Sequence, residues 1–180
     1  MPFNIMKAAV TAAALTALSV SVFAKAEAAE GEATIIDRNG KTIGSMLIQD
    51  TPSGIVRITV SATGISPGWH GVHIHETGAC DTADGFKSAG GHLSGSHKHG
   101  IMVEGGPHPG DLPNQMVHEG GQLAAEIYGP PSLKLMGEEQ ASVFDSDGSA
   151  FVIHSGRDDY ASQPSGDAGE RIACGIIEKR

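Results

Sequence analysis

The sequence predicts an all-β domain, a sandwich or barrel of about eight short strands. Short alternating or β-branched runs recur between turn signals. Glycine is abundant, at 25 of 180 residues, and aromatic residues are scarce, at 4%. No segment after the N-terminal region carries the apolar spacing of an amphipathic helix of useful length.

The elements follow in order. "ATIID" (Ala33–Asp37) ends at Asn39-Gly40, a strong signal for a two-residue hairpin turn. "KTIGSMLIQD" (Lys41–Asp50) ends at "TPSG", and "GIVRITVSA" (Gly54–Ala62) alternates Val56/Ile58/Val60 against Ile55/Arg57/Thr59. "HGVHIHE", "QLAAEI" (Gln122–Ile127), "ASVFD" (Ala141–Asp145), "AFVIHS" (Ala150–Ser155) and "RIACGII" (Arg171–Ile177) complete the set. Two segments read as long loops: Gly78–Gly121, rich in Gly, His and Pro, and Ser155–Glu170, rich in Asp, Ser and Gly. Loops of this length in a compact domain are usually functional, and they need tying down.

At the N-terminus, Lys7 precedes an Ala/Leu/Val-rich run from Ala8 to Phe23 and then small residues in "AKAEAAE". This pattern reads as a signal peptide over residues 1–28, cleaved within 24–29, leaving a domain at 29–180. Its run is short and broken by Thr11, Thr16, Ser19 and Ser21, which argues against a retained membrane anchor. Export to the periplasm is the expected localisation. A formal charge of −9 argues against a nucleic-acid partner, which needs a basic face. Cys80 and Cys174 are the only cysteines, and an isolated pair in an exported protein is most simply a disulfide.

All nine histidines fall between His70 and His154. Such clustering is how proteins bind first-row metals. On a strand, His73 and His75 share one face while Val72 and Ile74 share the other. Further along, His92, His97 or His99, His108 and Asp111 make a closed set of three imidazoles and one carboxylate, which suits tetrahedral zinc. His73 and His75 need further nitrogens for a tetragonal site of the kind Cu(II) prefers, and His154 is one candidate.

These motifs resemble the copper/zinc superoxide dismutase family, in its bacterial exported form, over nearly the whole domain. Gly71-Val72-His73-Ile74-His75 matches the copper-histidine signature, and Gly169–Gly175, "GERIACG", matches the C-terminal disulfide signature. "GGH" at His92, "KHG" at His99, "HPGDL" at His108–Leu112 and "VIHSGRDDY" around His154 follow in family order. The resemblance implies an eight-stranded Greek-key barrel or sandwich, immunoglobulin-like, with two functional loops. It implies one copper per subunit on His73, His75, His92 and His154, and one zinc on His92, His99, His108 and Asp111. His92 would bridge the two metals and supply a proton. Arg171 would hold the superoxide anion, Asp158 would orient His73 and His99, and a Cys80–Cys174 disulfide would help position Arg171.

The implied activity converts two superoxide anions to oxygen and hydrogen peroxide by Cu(II)/Cu(I) cycling, an antioxidant defence outside the cytoplasm. Beyond its small-molecule substrate, the only partner the family leaves open is a second copy, in a homodimer; no membrane contact is expected once the signal is removed. His70 is expected to bond structurally, and His118 matches no family position. His92 and His99 are seven apart, one fewer than in animal-type members, so the zinc loop is locally remodelled. The loop at 155–170 contains no lysine, so steering of an anion by local positive charge falls to Arg157, Arg171, Lys87 and Lys98. A non-enzymatic metal buffer on the same fold is the rival; a zinc hydrolase is disfavoured because Asp111 closes the zinc set.

Overall fold

The computed structural model describes residue 1, residues 28–137 and residues 142–180. The proposed signal peptide thus lies, but for its ends, outside the described residues. Nine strands run in the order β1 (Glu30–Asp37), β2 (Thr42–Gln49), β3 (Arg57–Thr63), β4 (Gly68–His70), β5 (Val72–His75), β6 (Gln115–Val117), β7 (Gln122–Tyr128), β8 (Ser149–His154) and β9 (Arg171–Lys179). A single 3-10 turn, Lys87–Ala89, is the only helical element among the described residues. No described helix is long and apolar enough to cross a membrane.

Seven strands form one antiparallel sheet, β5-β8-β9-β1-β2-β3-β7, while β4 pairs with β6. Only Gly71 separates β4 from β5, so the two are one strand with a break, and it links the sheet's first edge to β6. From β6 the chain turns directly into β7 at the opposite edge, which curls the sheet into a barrel. Counted this way there are eight strands, as the sequence predicts, but not the same eight. "ASVFD" is not a strand: Ser142 makes one isolated parallel bridge to Lys134, Phe144 donates to Leu135 O, and the chain then turns (Ala141 is outside the described residues). Its place is taken by β6, three residues inside the segment expected to be loop. With three residues of backbone pairing, β6 offers too short a pattern to read without its partner.

The barrel interior follows from period-2 alternation. Ile58, Val60 and Ala62 of β3 are buried while Thr59 and Ser61 face out. They pack with Ile35, Met46, Ile48, Val72, Ile74, Leu123, Ile127, Phe151 and Ile153. Every residue of β8 is buried, because both of its faces are covered. Phe151 and Ile153 enter the barrel; Ala150 and Val152 face a second cluster with Phe86, Ala89 and Cys174 under the loop that follows β5. This outer cluster and the Cys80–Cys174 disulfide seat that loop on β8 and β9.

Candidate metal centre

One edge of β5 pairs with β8, and the other receives the histidine-rich loop. Leu93 N donates to Ile74 O (2.8 Å), Ile74 N to Gly110 O (2.9 Å) and Glu76 N to Gly91 O (3.0 Å). Isolated bridges pair His75 with His92 and His73 with Asp111. Strapping the loop to this edge carries His92, His108 and Asp111 to the outward face of β5. Gly110 has no room for a Cβ, which would strike Ile74 O, so the "HPGD" turn needs glycine there. His154 enters from the end of β8, opposite Arg171 in register.

Two groups of donors result. Ligand atoms of His73, His75, His92 and His154 lie within 4.8 Å of one another, as do those of His92, His99, His108 and Asp111. All seven residues are buried. His92 belongs to both groups and turns a different nitrogen to each: Nδ1 lies 3.0 Å from Asp111 Oδ1, while Nε2 is buried with no hydrogen-bond partner.

The second group converges on Asp111. Its Oδ1 is 3.0 Å from Nδ1 of His92 and of His99, and 3.3 Å from Nδ1 of His108. Its Oδ2 accepts from Gly100 N (2.9 Å) and His108 N (3.0 Å), leaving Oδ1 as the free ligand atom. A tetrahedral ion with bonds of about 2.0–2.1 Å needs donors about 3.3 Å apart, so this spacing suits zinc. In the first group, His75 Nδ1 donates to Gly90 O (3.1 Å) and His154 Nδ1 to Gly169 O (3.2 Å). Their Nε2 lone pairs then face each other at 3.4 Å, a repulsion that a cation between them removes. His73 Nδ1 and His92 Nε2 are buried and unpartnered, and a buried nitrogen without a partner costs about 1–3 kcal/mol. Four nitrogens with open lone pairs are the donor set that Cu(II) prefers.

Asp158 joins the groups from behind. Its Oδ2 is 2.8 Å from His73 Nε2 and its Oδ1 is 3.0 Å from His99 Nε2, so one carboxylate fixes the far nitrogen of a ring in each group. The charge environment is asymmetric. Burial pushes His92 down to about 4 and His154 to about 3, and lowers His73 and His75. At His99 burial is outweighed by hydrogen bonds to Asp111 and Asp158, which lift it to about 9. Against burial, the contacts of His108, His92 and His99 hold Asp111 well below the usual carboxylate range. The same kind of contact, from His73 and His99, holds Asp158 low.

His97 is exposed and outside both groups, so the choice between His97 and His99 falls to His99. His70 bonds the main-chain oxygens of His154 (2.6 Å) and Ser66 (2.8 Å), and His118 is exposed. Arg171 is partly buried beside the first group, its Nη1 donating to Phe86 O and its Nη2 to Gly90 O, each at 2.6 Å. Arg157 lies over the Trp69 ring at 5.7 Å. Two amide side chains that sequence reasoning passed over also brace the loops. Asn114 pairs with both main-chain groups of Asp158, and Gln163 with both of His99. A lone Asn or Gln in a loop carries no signal of such pairing.

An antiparallel barrel with adjoining all-histidine and histidine-carboxylate groups that share one imidazole carries the donor sets for two metal ions, the first of them suited to a redox metal. Comparison with known proteins gives the family. The model described as "Copper/zinc superoxide dismutase (SODC)" matches residues 42–177, and the chain belongs to that family of oxidoreductases. It is 41% identical over 143 residues to the superoxide dismutase [Cu-Zn] of Caulobacter vibrioides, covering 78% of this chain and 80% of that protein. With superoxide dismutase [Cu-Zn] 1 of Aquifex aeolicus the identity is 39% over 158 residues, covering 87% and 92%. The crystal structure of a SOD-like protein from Bacillus subtilis superposes with a TM-score of 0.75 at 37% identity, over 82% of this chain and 97% of that one. Copper and zinc, the metals of the family, fit the two donor sets described above.

Proposed function

We propose that this chain is an exported superoxide dismutase, acting outside the cytoplasm as a domain of residues 29–180 after loss of its signal peptide. In this reading His73, His75, His92 and His154 hold copper, and His92, His99, His108 and Asp111 hold zinc. When bound, copper supplies a one-electron couple that oxidises one superoxide to oxygen and reduces the next to peroxide, and zinc keeps the shared imidazole polarised.

The remaining work belongs to the chain. Arg171 offers a fork of donors to the anion, and the carbonyls of Phe86 and Gly90 hold that fork in place. Nε2 of His92 is where a proton is taken up in one half of the cycle and given up in the other. Two superoxide anions and two protons thereby become one oxygen and one hydrogen peroxide. Asp158 keeps the His73 and His99 rings from turning. All eight ligand positions come from one chain, so a monomer and a homodimer would each carry complete sites.

The observation that carries this reading is the single ring of His92, offering Nδ1 to one group and a bare Nε2 to the other. The test loads the purified protein with both metals and follows turnover and the copper paramagnetic spectrum. His154→Ala should abolish turnover and alter the spectrum. Arg171→Ala should slow turnover about tenfold or more, the loss of a charged hydrogen bond, and leave the spectrum nearly unchanged. Copper binding without turnover in the unsubstituted protein would favour the metal-buffer reading instead.

A further inference from the structure

The guanidinium of Arg171 is only as well placed as the two carbonyls that hold it, and one of them lies in an unusual turn. Phe86 is fully buried, yet its φ is +65°, a left-handed conformation that is strained for a non-glycine residue. Gly85 before it is also left-handed, at φ +73°. Burial of the Phe86 ring among Ala89, Ala150, Val152 and Cys174 offsets the strain and anchors the turn that carries Phe86 O.

A second arginine closes this turn from outside. Arg38 stands in the β1–β2 hairpin, and its Nη1 donates to the main-chain oxygen of Arg171 at 3.0 Å. The Arg38 guanidinium lies 5.9 Å from the centre of the Phe86 ring. It also packs against Gly85, where an added Cβ would come within 2.9–3.1 Å of three of its atoms. Arg38 therefore touches both the backbone that carries Arg171 and the turn that receives its side chain.

The hairpin gives Arg38 a firm base. Asp37 Oδ1 accepts from Asn39 N (2.8 Å) and Lys41 N (3.0 Å), and Asp37 pairs with Ala173 on β9. Arg38 has no carboxylate partner among the described residues. Its charge therefore stands unpaired beside a loop that carries Glu76 and Asp84, both of which act electrostatically on Arg171.

Resting on Arg171 as the anion-holding residue, we propose that Arg38 is a positioning residue for it, clamping the Arg171 backbone to the Gly85–Phe86 turn. It sets where the guanidinium sits and so how tightly an anion is held at the first metal group. Arg38 touches neither substrate nor metal ligand. The proposal separates shape from charge: a lysine at 38 keeps the positive field but lacks the planar fork that bonds, stacks and packs at once.

The test uses azide as a linear anion probe, titrated optically on the copper- and zinc-loaded protein, with thermal melting of the metal-free protein as a control. Arg38→Lys should weaken azide about two- to fivefold, the scale of one exposed charge-assisted contact, with little change in melting. In an Arg171→Ala background the same substitution should change nothing further, because there is no guanidinium left to place. Wild-type azide affinity in Arg38→Lys, or an equal loss in the Arg171→Ala background, overturns the positioning role alone. Unaltered azide binding in Arg171→Ala would instead overturn the reading of Arg171, and this proposal with it.

Discussion

Removing the metals should leave a protein that is destabilised by mild acid, by an amount set by its buried histidines. The perturbation is chelation of both metals with the disulfide intact, followed by a shift from pH 7 to pH 5. Burial holds His92 at about 4 and His154 at about 3, against 6.5 in an exposed ring. The folded-state values are depressed, so the stability these rings contribute is present above pH 6.5 and is lost as pH falls toward 4 and then 3. At pH 5 the unfolded chain binds a proton at each ring while the folded chain binds almost none. Integrating between the folded and unfolded values gives about 2 kcal/mol of destabilisation per ring at pH 5, or about 4 kcal/mol for the pair. His73 and His75, also lowered by burial, add to the loss. His99, lifted to about 9, gains slightly over the same range and offsets a small part of it. Urea unfolding at the two pH values measures the difference, and His154→Gln should remove roughly half of the effect of the pair. Equal stability of the metal-free protein at pH 5 and pH 7 would refute the claim that these imidazoles are buried and neutral.

Two further outcomes follow from the same geometry. Asp158→Asn should weaken metal binding about 10- to 100-fold, the usual effect of losing an outer carboxylate, as measured by competition against a chelator of known affinity. Unchanged affinity at both groups would mean that Asp158 orients neither ring. Replacing Cys80 and Cys174 together by serine frees a 94-residue separation, which should cost the metal-free protein about 4–5 kcal/mol on the chain-entropy account. The same pair of substitutions should also weaken azide binding, because the loop seated by the disulfide carries Phe86 O and Gly90 O to Arg171.

Much of the site is local in the sequence and was legible there. Alternation placed His73 and His75 on one face of a strand, and β5 keeps them there with Val72 and Ile74 in the core. Asn39-Gly40 marked the turn that joins β1 to β2. The family motifs pointed to Asp158, and in the fold it touches the two rings named for it. Where the reading went astray, the cue was weak. "ASVFD" has strand composition but finds only an isolated bridge, whereas "QMV" has three unremarkable residues and pairs with Gly68–His70.

The sequence by itself determined the chemical inventory: seven donor side chains in strand-and-turn contexts, one cysteine pair and an arginine four residues before the second cysteine's neighbour, Gly175. Residue type and short-range backbone preference are properties of neighbours along the chain, and they survive without a fold. Only the tertiary structure decided which nitrogen of each ring is bare, that Asn114 and Gln163 brace the loops, and that Arg38 reaches Arg171 across 133 residues. Those outcomes depend on directions of side chains brought together by barrel closure and by a loop strapped to the edge of β5, and no local pattern encodes such directions.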